Sequence, residues 1–191
     1  MSDSFTPARL ADRAQIQDVM HRWCRAVDRL DIAAMPALFH PDMQDNHGAF
    51  RGGREELMAW IGQRHKTITF SLHQVSNIVI EFAGPDLALV ETVFLAIQRY
   101  SPEARDSLAQ SSGGKLGQPG TATDVMGTGR YVDRFERRDG VWKIARRTVV
   151  SGWKRMDAVD PDGPAPLPGW EVQRRDASDF IFRERAALGI E

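Results

Sequence analysis

Two polar residues of this sequence occupy positions where the surrounding pattern is apolar. Asp28 lies between Val27 and Leu30 at the end of a helical pattern, where a carboxylate opposes the helix dipole and is costly to bury alone. His73 lies in a strand pattern, and a histidine facing a cavity titrates near neutral pH. If Asp28 accepts the proton of one ring nitrogen, it fixes the tautomer and raises the basicity of the other. This predicts a general base worth roughly 10²–10⁴ in rate. The alternative is a buried, hydrogen-bonded pair without a catalytic role.

Arg147 is a third charged residue in an apolar pattern. Alternation along a strand places it on one face with Val141, Ala145, Val149 and Trp153. The guanidinium could stabilise an anion on a substrate or leaving group, or it could neutralise Asp28 or an acidic residue across the sheet. Because the opposite strand face is also apolar, we expect one face to line the core or pocket and the other a subunit interface in a homo-oligomer.

A metal site is conceivable at Asp45 and His47, with His73 as a third ligand. The segment Asp45-Asn46-His47-Gly48 is more typical of a turn before a short strand, so no metal site is predicted. The sequence also has no phosphate-binding Gly-Lys-Ser/Thr loop and no His-Glu-x-x-His motif, which argues against nucleotide and zinc chemistry.

Helical patterns occupy the first third of the chain. Apolar residues recur at helical spacing over 8–30 without Gly or Pro, which predicts a long amphipathic helix. Shorter helices are predicted over 31–39, where Asp31 could cap the first turn, and over 55–64. These helices would carry Asp28 toward the rest of the fold.

Strand patterns follow, and they would position His73 and Arg147. One hairpin is predicted from 68–82 and 87–100, and a second from 124–137 and 141–154, the latter joined by an Asp-Gly turn. Between them, 101–123 is rich in Ser, Gly and Pro and is expected to be a mobile loop that acts as a lid.

Helices followed by antiparallel strands predict an α+β fold. We expect one domain over 1–155, followed by a Pro-rich C-terminal arm, 156–191, with a possible helix at 173–188. The formal charge of −1, from 25 basic and 26 acidic residues, argues against nucleic-acid binding. No apolar run is long enough to span a bilayer, and the single Cys24 and the polar N-terminus suggest a cytoplasmic protein.

Four segments resemble the SnoaL-like branch of the nuclear transport factor 2-like superfamily: LADRAQIQD (10–18), DRLD (28–31), LHQVSN (72–77) and YVDRFERRDGVWKI (131–144). The likeness spans about 8–155. It implies a cone-shaped, strongly curved antiparallel sheet packed on the N-terminal helices, with an apolar pocket at one end, commonly in dimers or trimers. A fold alone does not name a reaction.

Within this superfamily the chain is similar to lyases that work without cofactors, such as hexachlorocyclohexane dehydrochlorinase, bile-acid dehydratase and scytalone dehydratase. The resemblance implies that His73 removes a proton, Asp28 orients His73, and Arg147 stabilises the departing anion. It also implies a small, hydrophobic, ring-containing substrate and no cofactor. Some members instead cleave a carbon–carbon bond of aryl-propanoid compounds and release formaldehyde, and that outcome stays open.

One position departs from the lyase pattern. Those relatives carry lysine or tyrosine five residues before the aspartate, where this chain has Trp23, and indole cannot act as an acid. Tyr131, Tyr100 or water would then protonate the leaving group, unless it needs no acid or the reaction differs. Trp23 could stack on an aromatic substrate or be a core residue. With Tyr131, Tyr100 and His47, it is a candidate substrate-binding residue.

Two other functions fit the same residues. An isomerase or cyclase of the ketosteroid isomerase or polyketide cyclase type would return the proton to the same molecule, so the product mass would not change. A non-catalytic module, which binds a ligand or resembles the small subunit of aromatic-ring dioxygenases, would not bring Asp28, His73 and Arg147 together.

Overall fold

Helix α1 (Pro7–Arg29) begins the fold in the computed structural model, which describes residues 5–190. The Thr6 hydroxyl accepts a hydrogen bond from the backbone N–H of Arg9 at 3.3 Å, and Pro7 occupies the first turn, where its missing N–H costs nothing. Leu30 ends the helix in a left-handed conformation, with φ 53°. One face of α1 is buried, so the predicted amphipathic helix is confirmed.

The remaining helices and strands are β1 (Phe39–Asn46), β2 (Arg51–Gly52), α2 (Arg54–Arg64), β3 (Ile68–Gly84), β4 (Leu87–Tyr100), α3 (Arg105–Ser112), β5 (Thr123–Arg138), β6 (Val141–Ala158) and α4 (Phe180–Ala187). Single turns of 3-10 helix lie at Met35–Leu38 and His65–Thr67. Within residues 5–190 the strands form one curved sheet in the order β2-β1-β6-β5-β4-β3. The predicted α+β class and the two predicted hairpins are confirmed.

One strand pair departs from the expected antiparallel arrangement. Strand β1 runs parallel to β6, which makes the sheet mixed. Tight hairpins force antiparallel pairing only between consecutive strands, and β1 reaches β6 from the far end of the chain. The ladder between them is interrupted between Phe39 and Gln44, a stretch that contains Pro41, which cannot donate a backbone hydrogen bond.

The prediction of a helix over 31–39 is wrong. Asp31 does cap a turn, because its carboxylate accepts a hydrogen bond from the backbone N–H of Ala34 at 3.2 Å. Only the 3-10 turn Met35–Leu38 follows, with Pro36 in its first turn, and Phe39 already begins β1. Proline limits the helix, and burial of Phe39 against the sheet favours the strand.

The prediction of a mobile loop over 101–123 is also wrong for the first half of that segment, which contains α3. Ala104 and Leu108, four residues apart, pack against Ile68, Tyr100 and Val125 in a second small core. The terminal helix is shorter than the predicted 173–188. It covers only Phe180–Ala187, and the Asp179 carboxylate caps it at the backbone N–H of Ile181.

A β-bulge in β6 decides which residues face the core. Phe135 pairs with Ile144, whereas Arg134 pairs with Arg146, so β6 gains one residue at this point. Arg147 is therefore buried like Ile144, while Val141 is 50% exposed. The predicted face that grouped Arg147 with Val141 is wrong, because strict alternation ends at the bulge.

The C-terminal arm packs against the end of α1 and the start of β3. The Arg175 guanidinium donates to the backbone carbonyls of Val27, Asp28 and Ile68 at 2.9, 3.1 and 2.7 Å. Strand β6 continues to Ala158, three residues past the expected domain boundary at 155. Within residues 5–190, every helix is too short or too polar to cross a membrane.

Candidate active site

Asp28 lies in the last turn of α1 and accepts three hydrogen bonds. The Ser71 hydroxyl donates to Oδ1 at 2.8 Å, and the backbone N–H of His73 donates to Oδ2 at 2.7 Å. The third partner is His73 Nδ1, at 2.7 Å from Oδ1. Burial alone would raise the pKa of Asp28, but the bonds from His73 and Ser71 outweigh it and lower that pKa below 3.8. Asp28 is therefore ionised at neutral pH.

His73 presents its other ring nitrogen for chemistry. An ionised Asp28 can only accept, so Nδ1 of His73 carries the proton and Nε2 has a free lone pair. Nε2 has no hydrogen-bond partner among residues 5–190, and His73 lines a pocket. The structure thus brings Asp28 and His73 together beside a cavity. Ser71 was not predicted, although it shares the strand face of His73 two residues earlier.

The pocket has a volume of about 200 Å³ and aromatic walls. Trp23, Trp60, Phe94 and Tyr131 line it, and the Phe94 and Tyr131 rings lie 4.6 Å apart. Gly129 makes room for this pair, because a Cβ there would come within 2.5 Å of the Phe94 ring. The predicted residues Trp23, Tyr131 and His47 therefore share one cavity with His73.

A second histidine–carboxylate pair faces the same pocket. His47 Nδ1 is hydrogen-bonded to Oδ1 of Asp45, whose side chain is fully buried at the end of β1. The His47 ring lies 5.6 Å from Trp60 and lines the cavity. The expected turn before a short strand is present between β1 and β2. The pairing of Asp45 with His47 was not predicted, and the Asp-x-His spacing, which is also typical of a surface turn, is its only local sign.

Asp45, His47 and His73 are the candidate metal ligands of the sequence. In the structure each histidine instead has its own carboxylate partner. Among residues 5–190, no group of three or more His, Cys, Asp and Glu side chains is arranged to hold a metal ion.

Arg147 lies behind the pocket wall. Its Nε and Nη2 donate to the two carboxylate oxygens of Asp133 at 2.8 and 2.6 Å, and both side chains are fully buried. The guanidinium lies 4.9 Å from the Trp23 ring and 4.3 Å from the Tyr131 ring. Although burial alone would lower the pKa of Arg147, its pairing with Asp133 keeps that pKa above its usual value. Of the two roles considered, this geometry matches neutralisation of an acid across the sheet.

Tyr100 also lies outside the cavity wall. Its ring is fully buried beneath α3, and its hydroxyl donates to Gln98 Oε1 at 2.8 Å and accepts from Arg64 at 2.6 Å. Direct substrate contact, as expected for Tyr100 and Arg147, does not fit these positions. Burial raises the pKa of Tyr131, so its hydroxyl stays protonated at neutral pH.

Known proteins share the fold of this chain. Residues 8–148 match the family model of the SnoaL-like domain, which is most of the chain. The chain belongs to the SnoaL-like family. No curated protein sequence matches this SnoaL-like protein.

Solved structures with the same fold include several enzymes. A scytalone dehydratase-like protein of Novosphingobium aromaticivorans is 24% identical over 87% of this SnoaL-like chain and 100% of its own, with a TM-score of 0.63. A hexachlorocyclohexane dehydrochlorinase of Novosphingobium barchaimii is 20% identical over 83% and 97%, with a TM-score of 0.61. A dioxygenase-type β subunit of N. aromaticivorans is 19% identical over 74% and 91%, with a TM-score of 0.53. At these identities the likeness establishes the fold.

Proposed function

We propose that this SnoaL-like protein is a cofactor-independent lyase that acts on a small, hydrophobic, ring-containing molecule. The observation that carries the proposal is that His73, paired with Asp28, lies in the wall of an aromatic pocket. The names of two structural relatives, a dehydrochlorinase and a dehydratase-like protein, support elimination as the reaction type.

The first half of the reaction is removal of a proton by His73. Asp28 holds Nδ1–H and keeps the ring in one orientation, so Nε2 accepts a proton from a carbon of the substrate. The electrons of that C–H bond form a double bond as the bond to the leaving group breaks. Imidazolium forms next to an ionised carboxylate, which stabilises the charge that develops in the transition state.

The second half is departure of the leaving group, which needs a proton unless it is a stable anion. Trp23 cannot act as an acid, and a tyrosine whose pKa is raised, as in Tyr131, donates a hydrogen bond more readily than a proton. His47 is better suited, because Asp45 engages its Nδ1 and leaves Nε2 for the leaving group. In this mechanism one histidine gains a proton and the other loses one, and exchange with water restores both.

Arg147 has a positioning role in this proposal. Its guanidinium is shielded from the cavity, but it packs on the Trp23 and Tyr131 rings that form the pocket wall. It therefore fixes those two aromatic walls.

A neutral, ring-containing probe tests the base directly. With 5-nitrobenzisoxazole, removal of the ring C–H proton breaks the N–O bond and yields a coloured cyano-nitrophenolate. We expect the wild type to accelerate this elimination and His73→Ala to lose roughly 10²–10⁴ of kcat. His21→Ala, at an exposed histidine of α1, is the matched control. Equal rates for His73→Ala and wild type, with intact circular dichroism, would refute the mechanism.

A further inference from the structure

The pocket wall carries an excess of positive charge. Arg64, at the end of α2, and Lys154, in β6, both line the cavity, together with His47, His65 and His73. Among the described residues, no aspartate or glutamate lines this cavity. Asp28, the nearest carboxylate to His73, is already occupied by three hydrogen bonds.

Neither cation has an acidic partner within residues 5–190. Arg64 donates to the Tyr100 hydroxyl at 2.6 Å and to His65 Nε2 at 2.9 Å, and Lys154 donates to the Ser111 carbonyl at 2.6 Å. By contrast, several arginines on the outer side of the sheet form ion pairs with carboxylates; these are Arg99, Arg130, Arg137 and Arg138. The pocket thus lacks the counter-charges that the outer surface has.

The His65 ring cannot accept a hydrogen bond from both of its guanidinium neighbours. Its ring lies between two guanidiniums, with Nε2 at 2.9 Å from Arg64 and Nδ1 at 2.9 Å from Arg175. Burial, Arg64 and Arg175 lower the pKa of His65 well below 6.5, so the ring is neutral and has a single acceptor nitrogen. Arg175 also binds three backbone carbonyls. Arg64 is therefore the side chain with donor capacity to spare.

Arg64 and Lys154 line the same cavity, and their like charges act on each other. The pKa of Lys154 is lowered, mainly by burial and further by the charge of Arg64. Two like charges in the wall of one cavity, without a counter-charge, are stabilised when an anion lies between them. The guanidinium fork of Arg64 matches the two oxygens of a carboxylate.

We propose that Arg64 and Lys154 form a carboxylate subsite and that the ligand of this pocket is a ring-bearing carboxylic acid. The aromatic walls formed by Trp60, Phe94 and Tyr131 hold the ring, and the cationic corner holds the acid group. That this ligand is also the substrate rests on the proposed function. The subsite itself does not.

The test compares 2-naphthoate with its uncharged analogue 2-naphthamide by isothermal titration calorimetry at low salt. We expect the wild type to bind 2-naphthoate at least about tenfold more tightly than the amide. Arg64→Gln and Lys154→Gln should each lower 2-naphthoate affinity roughly tenfold while leaving amide affinity unchanged. Added sodium chloride should weaken only 2-naphthoate binding. Lys66→Gln removes the same charge from an exposed site beyond α2 and should change neither affinity.

Three results would overturn the proposal: equal affinity for the two probes, 2-naphthoate affinity insensitive to both substitutions, or no binding of either probe at millimolar concentration. Arg64 is hydrogen-bonded to the buried side chains of Tyr100 and His65, whereas Lys154, in the described part of the chain, bonds only to the Ser111 carbonyl. Lys154→Gln therefore keeps the test decisive if Arg64→Gln fails to fold. The binding measurement requires no turnover, and the benzisoxazole assay requires no anion. Failure of the subsite and failure of the lyase mechanism are therefore distinguishable.

Discussion

The pocket has two histidine–carboxylate pairs, and they are built differently. Asp28 accepts three hydrogen bonds from β3, two of them from His73 itself. Asp45 accepts one, from His47, and its Oδ2 is buried without a partner among residues 5–190. The first histidine lies within a long strand, whereas the second lies in the short turn after β1. A rigid, fully bonded pair suits a base that must be held in one tautomer.

The two pairs also differ in what surrounds the carboxylate. Asp28 is stabilised by its own local hydrogen bonds. Asp45 is in register with Arg147 on β6, which is in turn in register with Asp133 on β5, so three charges lie side by side across the sheet. The second pair therefore depends on the charge balance of the core, and the first does not. In the sheet order, β1 and β3 lie far apart, so the curved sheet brings the pairs to the cavity from different sides.

The largest expected effect is a loss of kcat on replacing Asp28, and it distinguishes the two carboxylates. Asp28→Asn should lower kcat for 5-nitrobenzisoxazole by roughly 10²–10⁴, because an amide cannot accept from all three donors and directs the His73 proton to Nε2. Asp45→Asn, the matched variant in the other pair, should lose less than about tenfold on this probe. Steady-state kinetics measure both, and similar losses would show that the pairs are not specialised.

A smaller effect is expected from His47→Gln, which keeps a hydrogen-bond donor but removes the proton donor. Unsubstituted benzisoxazole has a more basic leaving oxygen than the nitro derivative and needs more help from an acid. The loss of kcat should therefore be about tenfold larger for the unsubstituted probe. An identical loss for both probes would contradict the role of His47 as an acid.

The smallest effect concerns stability as a function of pH. The pKa of Asp28 is lowered in the folded protein, so the unfolded chain binds its proton first as the pH falls. The stabilisation from Asp28 is thus fully present above its ordinary value of 3.8 and is lost as the pH falls through the folded pKa. Denaturant unfolding between about pH 5 and pH 3 should show a shallower decline for Asp28→Asn than for wild type. Asp106→Asn, at an exposed site in α3, should decline like the wild type.

The predictable part of the candidate site consists of polar residues that stand in an apolar local sequence, where burial costs free energy. A carboxylate at the end of an apolar helix face and a histidine inside a strand both stood out, and the structure pairs them at 2.7 Å. Asp45 gave no such signal, because Asp-Asn-His-Gly is equally typical of a surface turn. Its burial depends on β6, which lies about one hundred residues further along the chain.

The cationic corner was also beyond sequence reasoning. Arg64 and Lys154 occur in ordinary amphipathic contexts, one at a helix end and one near the end of a strand. Their excess charge becomes visible only because no carboxylate among residues 5–190 lines the cavity. Whether a cation has an acidic partner depends on which residues meet in the folded pocket wall, and no local sequence pattern shows it.

The sequence by itself determined the features that neighbouring residues encode: the amphipathic helix α1, the two hairpins and the α+β class. Hydrophobic periodicity and turn residues act over a few positions, so they can be read without the fold. Only the tertiary structure decided the parallel β1–β6 pair, the bulge that turns Arg147 toward Asp133, and the helix α3 inside a Ser- and Gly-rich segment. Each of these features depends on contacts with residues that are distant in the sequence. Those contacts exist only when the whole sheet has formed.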